Sequence, residues 1–120
     1  MGTEPSAAAE RTSAGVRISG IVIDAVDLER MALFWSRLLD LEITRREDEW
    51  ISLGSGLALQ RVPEPKSVKN RLHLDLVADD LESACARAAE LGAVPAGALR
   101  EDLWQVWKDP EGNEFCICRS

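Results

Sequence analysis

The feature that most limits what this 120-residue chain can fold into is an internal repeat with a period of 53 residues. Asp27-Leu28-Glu29 returns as Asp80-Leu81-Glu82, and the apolar positions that follow match as well. Leu28, Met31, Ala32, Trp35 and Leu38 keep the spacing of Leu81, Ala84, Cys85, Ala88 and Leu91. Each set draws one apolar stripe along a helix. Asp27 and Asp80 (or Asp79) are suited to cap the helix N-termini, where an acidic first turn also meets the positive end of the helix dipole. Gly92 suits a left-handed C-cap for the second helix, whereas the first must stop near Asp40 without a glycine.

The segments around each helix read as strands. "VRISGIVID" and "NRLHLDLVA" run straight into the caps. The first helix is followed by "LEITRRE", "WISL" and "LALQRV", the second by "AVPAG", "LWQVWK" and "EFCIC". "DPEGN" precedes the last strand and has the proline and glycine of a tight reversal. "VPEPKSVKN" joins the halves. The expected order is strand–helix–strand–strand–strand, twice. Neither copy can bury its sheet face and helix stripe alone, so the copies must pair into an α+β domain of eight strands and two helices. The boundaries are a disordered tail at 1–15, then one domain at 16–118, with module one at 16–63, a linker at 64–69 and module two at 70–118.

Composition removes several function classes. A net charge of -7 argues against nucleic acid, which calls for an excess of Lys and Arg on one face. No stretch approaches the roughly 18 apolar residues of a membrane span. The start, "MGTEPSAAAERTSAG", lacks the apolar segment of a signal peptide. Gly2 and Ser6 match a myristoylation pattern formally, but nothing basic follows to supply a second anchor. Cys85, Cys116 and Cys118 are odd in number and lack C-x-x-C spacing, so they read as reduced thiols in a cytoplasmic protein.

"VDLERMALFWSRLLDLEI" in the first half, with "HLDLVADDLESACARAAELGA" and "DPEGNEFCI" in the second, resembles the vicinal-oxygen-chelate superfamily. That group holds glyoxalase I, extradiol dioxygenases, fosfomycin-resistance enzymes and bleomycin-binding proteins. The junction "RVPEPKSVKNRLHLDL" is most similar to its glyoxalase-like domain group. The resemblance implies two paired βαβββ modules forming a curved eight-stranded mixed sheet around a cleft. It also implies a homodimer and four inward positions able to hold a divalent metal. Carried over by position, these are Gly20, Gln60, His73 and Glu114. Gly20 replaces the fourth ligand and offers no donor. Gln60 offers a neutral carbonyl oxygen, while His73 and Glu114 suit zinc, nickel, iron or manganese.

The remaining candidates come from strand alternation. His73 and Asp75 share a face opposite the leucines at 72, 74 and 76, and Glu114 shares one with Cys116 and Cys118. His73 is the group able to move a proton near neutrality, and Glu114 the group able to remove one next to a carbonyl. Trp104 and Trp107 face opposite sides of one strand, while Trp35 lies on the helix stripe. Trp50, Trp104 and Trp107, with Gln60 and Asp75, are the expected ligand-binding side chains. The leading expectation is a protein that binds a small organic molecule in an aromatic, acidic cleft, with no cofactor and no complete metal site. The alternative is a metal-dependent lyase, isomerase or dioxygenase using His73, Glu114 and Gln60.

Overall fold

The structure, a computed structural model, describes residues 14–120. Nearly all of the expected tail, with the Gly2 and Ser6 pattern, falls on residues 1–13, outside the described residues. The element order is β1 (Ile21–Ala25), α1 (Leu28–Leu39), β2 (Ile43–Glu47), β3 (Trp50–Leu53), β4 (Leu57–Arg61), then β5 (Leu74–Ala78), α2 (Leu81–Leu91), β6 (Val94–Pro95), β7 (Trp104–Lys108) and β8 (Glu114–Arg119). This is βαβββ twice, and the fold is α+β as the repeat requires. The eight strands are mixed in direction and divide into two four-stranded sheets, ordered β1-β4-β3-β2 and β5-β8-β7-β6. The sheets do not close into a barrel. In each, the first and last strands of the half are parallel neighbours and the other pairs are antiparallel.

Both helices start and stop where the sequence places them. Asp27 accepts from Arg30 N and Asp80 from Ser83 N, each through its side chain. Asp40 ends α1 in the left-handed region at φ 55°, and Gly92 ends α2 at φ 116°, where glycine carries no Cβ penalty. The first and fifth strands are shorter than the sequence suggests. Residues 16–20 have no ladder partner among the described residues, because β4 starts only at Leu57, after a tight turn at Gly54–Gly56. Val16 and Ile18 are therefore exposed. Likewise β5 starts at Leu74, so Leu72 is not on the helix side but 87% exposed. The expected "AVPAG" strand shrinks to two residues, since Pro95 has no N–H to extend the ladder.

The core lies between the sheets and the two helices. Leu28, Met31, Ala32 and Trp35 of α1 are buried against Ile51, Leu53, Leu57 and Leu59. The α2 stripe is smaller, with Leu81 and Ala88 buried and Ala84, Cys85 and Leu91 partly so. The halves meet through aromatic side chains. Trp35 and Phe34 of α1 pack edge-on against Phe115 of β8, with ring centroids 5.0 and 6.1 Å apart. The reversal "DPEGN" clamps this junction. Asp109 is only 2% exposed and accepts from Trp35 Nε1 at 3.2 Å, from Glu111 N, and from Asn113 N and Nδ2. Glu111 reaches across to accept from Val26 N and Asp27 N, at 2.7 and 2.6 Å. A segment read in the sequence only as a turn thus ties the second half to the start of α1. The signal was its two carboxylates, which a plain reversal does not need.

Candidate functional site

Each sheet has one face on the helices and one face away from them. Alternation along β5 sends Leu74, Leu76 and Ala78 to the core and leaves Asp75 and Val77 on the open face. On β8, Phe115 and Ile117 face the core, so Glu114, Cys116 and Cys118 face away from it. His73 stands one residue before β5 and points with Asp75: its Nε2 lies 3.1 Å from Asp75 Oδ1. The two side chains are 53% and 68% exposed. Asp75 is directly opposite Cys116 in the ladder, and the donor atoms of His73, Asp75 and Cys116 lie within 4.8 Å of one another.

A cavity of about 390 Å³ opens where β1 meets the β5–β8 edge. It is lined by residues 21–24, Trp35, residues 70–74 and residues 113–115, which brings Asp24, His73 and Glu114 to one space. Its wall is largely apolar, from Ile21, Val22, Ile23, Leu72, Leu74 and Phe115. A second space of about 160 Å³ shares Asn70, His73 and Glu114 with it and adds Lys69, Val106 and Cys116.

Glu114 is engaged structurally. Its Oε1 accepts from Asn70 N at 2.9 Å, and Lys66 Nζ stands 3.7 Å away. Asn70 Nδ2 returns a bond to the Glu114 carbonyl. The Asn70 amide is the main cause holding the Glu114 pKa below its ordinary value, with Lys66, Lys69 and Lys108 adding to it against the opposing effect of burial. A carboxylate held low is a weaker base, so this environment disfavours proton abstraction by Glu114. Burial, and then the Asp75 carboxylate, push the Cys116 thiol up. Burial does the same for Cys85, whose sulfur lies 3.7 Å from Gln105 Oε1 on the helix side. All three cysteines are free.

Strand register tests the implied metal quartet. Ile21 pairs Leu57 in the first half as Leu74 pairs Phe115 in the second. The counterpart of Glu114 is therefore Gly56, and the counterpart of Gln60 is Cys118. Gln60 sits beside Asp24 and Trp50 instead, and lines neither cavity that contains His73. Gly20 and Gly56 are packed on each other: a Cβ on Gly20 would lie 2.9 Å from the Gly56 carbonyl oxygen. The first half thus presents two glycines where the second presents His73 and Glu114. The residues present do not fit a four-ligand metal set of the implied kind.

The tryptophans separate. Trp35 is core and also lines the larger cavity. Trp107 is buried on the helix side, where its indole N–H has no oxygen or nitrogen partner among the described residues. Trp104 is on the open face, 38% exposed, with the Arg100 guanidinium 5.9 Å from its ring centroid. Trp50 donates to Ser52 Oγ at 2.7 Å and lines a separate space beside Gly20 and Gly56.

The comparisons with known proteins agree with this architecture. No protein of curated function matches in sequence. Among solved structures, a fosfomycin resistance protein, FosX, from Listeria monocytogenes superposes with a TM-score of 0.72 at 12% identity, covering 87% of this chain and 91% of that one. A glyoxalase/bleomycin resistance protein/dioxygenase family enzyme from Burkholderia phytofirmans PsJN gives 0.69 at 19% identity, covering 84% and 96%. TnmS3, an antibiotic binding protein from Streptomyces sp. CB03234, gives 0.62 at 20% identity, covering 90% and 98%. At these identities the likeness is one of fold. A family model described as a glyoxalase-like domain matches residues 20–118, and with that span the chain belongs to the glyoxalase-like domain family of the vicinal-oxygen-chelate superfamily.

Proposed function

We propose that this protein binds a small organic molecule in the cavity between β1 and the β5–β8 edge, and does so without the four-ligand metal set of its superfamily. The observation that carries this reading is the pair Gly20 and Gly56, which offer no side-chain donor and whose packing leaves no room for a side chain at Gly20. What remains is a mostly apolar space of about 390 Å³ with a few polar groups at its edge, Asp24, Asn70, Arg71, His73 and Glu114. That is the size and make-up of a small-molecule site. The antibiotic-binding and fosfomycin-resistance proteins of the same fold support the ligand class. Trp35 among the lining residues is the aromatic side chain of the cavity besides Phe115, and Trp50 and Trp104 lie on open sheet faces. A second copy of the chain would cover those faces and complete the cleft as a homodimer. No helix among the described residues is long and apolar enough to cross a membrane. A cytoplasmic location is part of the proposal. The metal-dependent lyase, isomerase or dioxygenase reading draws less support, because Gln60 stands apart from His73 and Glu114 is tied to Asn70.

The test is a fluorescence titration with anilinonaphthalene sulfonate, competed by fosfomycin and by metal-free bleomycin. Saturable binding of one probe per chain, abolished by Val22→Trp, which fills the cavity, is the expected result. A linear, unsaturable rise that Val22→Trp leaves unchanged would end the proposal.

A further inference from the structure

We infer that the first sheet carries a ligand site of its own: a slot beside Trp50 for a flat, uncharged heterocyclic ring. Its space of about 230 Å³ is lined by residues 19, 20, 22, 50, 52, 53 and 56–58. Only Val22 is shared with the β1–β5 cavity, and neither His73 nor Glu114 belongs to the slot. The slot is thus separate from the cavity of the proposed function and does not depend on it.

Trp50 supplies one wall. It stands two residues before Ser52 on β3, so both side chains face the same way, and its indole N–H donates to Ser52 Oγ at 2.7 Å. That bond fixes the ring before a ligand arrives, which spares the cost of ordering a free side chain. An indole is among the largest flat apolar surfaces a side chain offers. The floor beside it is bare. Ala58 stands directly across from Ser52 in the ladder, and Gly20 and Gly56 add backbone without side chains. A flat ring can lie on such a floor against the indole.

The lining decides the charge of the ligand. Charged residues make up 29% of the chain, yet none of the residues around this space is charged. An ion would lose water there with no counter-charge to replace it, so phosphonate, sulfonate and ammonium groups are disfavoured. The polar groups present are neutral, and between them they both donate and accept. They are the hydroxyls of Ser19 and Ser52 and the peptide groups of Ser19, which has no ladder partner and no backbone hydrogen bond among the described residues. Such groups suit the nitrogen and carbonyl edge of a heterocycle. At about 230 Å³ the space fits one or two fused rings and lies below the range for a drug-sized ligand.

The repeat supplies an internal control. Strand register puts Trp104 at the place of Trp50, Val106 at that of Ser52 and Cys116 at that of Ala58. The second half therefore keeps the tryptophan but replaces the hydroxyl that holds it and fills the floor. The Trp104 ring instead has the Arg100 guanidinium 5.9 Å from its centroid. Held indole, neutral lining and bare floor coincide in the first half alone.

The full chain is titrated into 2-aminopurine, an uncharged fluorescent two-ring heterocycle that is quenched when it stacks on an aromatic side chain. The expected result is quenching that saturates at one probe per chain, reversed by adenine and not by the orotate anion. Trp50→Ala should weaken binding by about tenfold or more, as the loss of a base–aromatic stack does. Ser52→Val, which installs the residue of the second half, should weaken it by about fivefold, the worth of one hydrogen bond. That variant keeps the test decisive if Trp50→Ala disturbs folding. Trp104→Ala, at the matching place, should bind as the parent does. Three outcomes overturn the proposal: no saturable quenching in the parent, binding unchanged in both Trp50→Ala and Ser52→Val, or an equal loss in Trp104→Ala. Trp50 does not line the β1–β5 cavity, so Trp50→Ala should titrate with anilinonaphthalene sulfonate as the parent does, and the two sites stand or fall separately.

Discussion

The two halves share one order of elements and one strand register, yet they carry different loads. Trp35 in α1 corresponds to Ala88 in α2, and both are fully buried. On the open faces the bias reverses. Gly20, Val22, Gly56 and Ala58 in the first half stand where His73, Asp75, Glu114 and Cys116 stand in the second. The first half supplies the bulk of the core and the second supplies the groups with chemistry. A strand permits this division because alternate residues face opposite ways, so one face can change while the other keeps its packing.

The largest expected effect tests the core side of that contrast. Trp35→Ala removes a ring packed against Phe34 at 5.1 Å and Phe115 at 5.0 Å. It also strips a donor from buried Asp109. The cost should be about 3–5 kcal/mol, the range for a large buried aromatic. At the matching place, Ala88→Gly should cost about 1 kcal/mol, from helix propensity. Urea denaturation of both variants reads the difference, and equal losses would show that the halves bear the core alike.

The next effect tests what joins them. The Asp109 carboxylate is surrounded by donors: Trp35 Nε1, Glu111 N, and Asn113 N and Nδ2. Asp109→Asn turns an NH₂ group toward two of them and leaves buried donors unpaired. A loss of about 2–3 kcal/mol follows, at the upper end for an unsatisfied buried polar group. Exchange of the Val26 and Asp27 amides should also quicken, because Glu111 holds both from the same turn. Stability within 0.5 kcal/mol of the parent would remove Asp109 as the clamp between halves, since that is about the scale of an indifferent surface change.

How much of this the sequence disclosed follows from the range of each interaction. Helix stripes, caps and strand order depend on neighbours a few residues away, and Asp27, Asp80 and Gly92 are legible for that reason. The faces of His73, Asp75 and the paired tryptophans follow from alternation alone. Register is different. Counting 54 residues back from Glu114 reaches Gln60, but the ladder sets Gly56 there, because the segment between α and the last strand is longer in the second half. Strand ends depend on where a partner begins, so Leu72 could not be read as exposed. The bonds of Asp109 to Trp35 and of Glu111 to Val26 span 74 and 85 residues and leave no local periodicity.

A smaller effect separates the open faces. Gly20→Ala places a Cβ 2.9 Å from the Gly56 carbonyl oxygen, a backbone atom that cannot rotate away. A loss of about 1–3 kcal/mol is expected, as for overpacking elsewhere. His73→Ala, at the corresponding place, removes an exposed side chain and should shift stability by less than about 0.5 kcal/mol. Thermal melts of the pair check this. If Gly20→Ala is tolerated as well as His73→Ala, the first half has room for a ligating side chain at position 20.

The smallest effect is the most specific, since it is defined by its dependence on pH. Glu114 holds the Asn70 amide, and that bond keeps its folded pKa below the ordinary 4.5. A depressed carboxylate adds stability that is present above the unfolded value and lost as pH falls through the folded one. Asp109 acts in the opposite sense. Burial raises its pKa above 3.8, so ionising it inside the fold costs stability as pH rises through the raised value, against which its accepted hydrogen bonds work. Glu114→Gln should therefore cost about 1 kcal/mol at neutral pH, a modest value for a bond to a charged acceptor. That difference should shrink toward zero as the medium is acidified below 4.5. The matching position holds Gly56, which has no carboxylate to titrate, so the acid limb belongs to the second half alone. Denaturant midpoints of parent and variant, compared across that range, decide the point. A gap that stays constant with pH would mean that Glu114 holds the linker by shape and not by charge, and would leave its carboxylate free for another role.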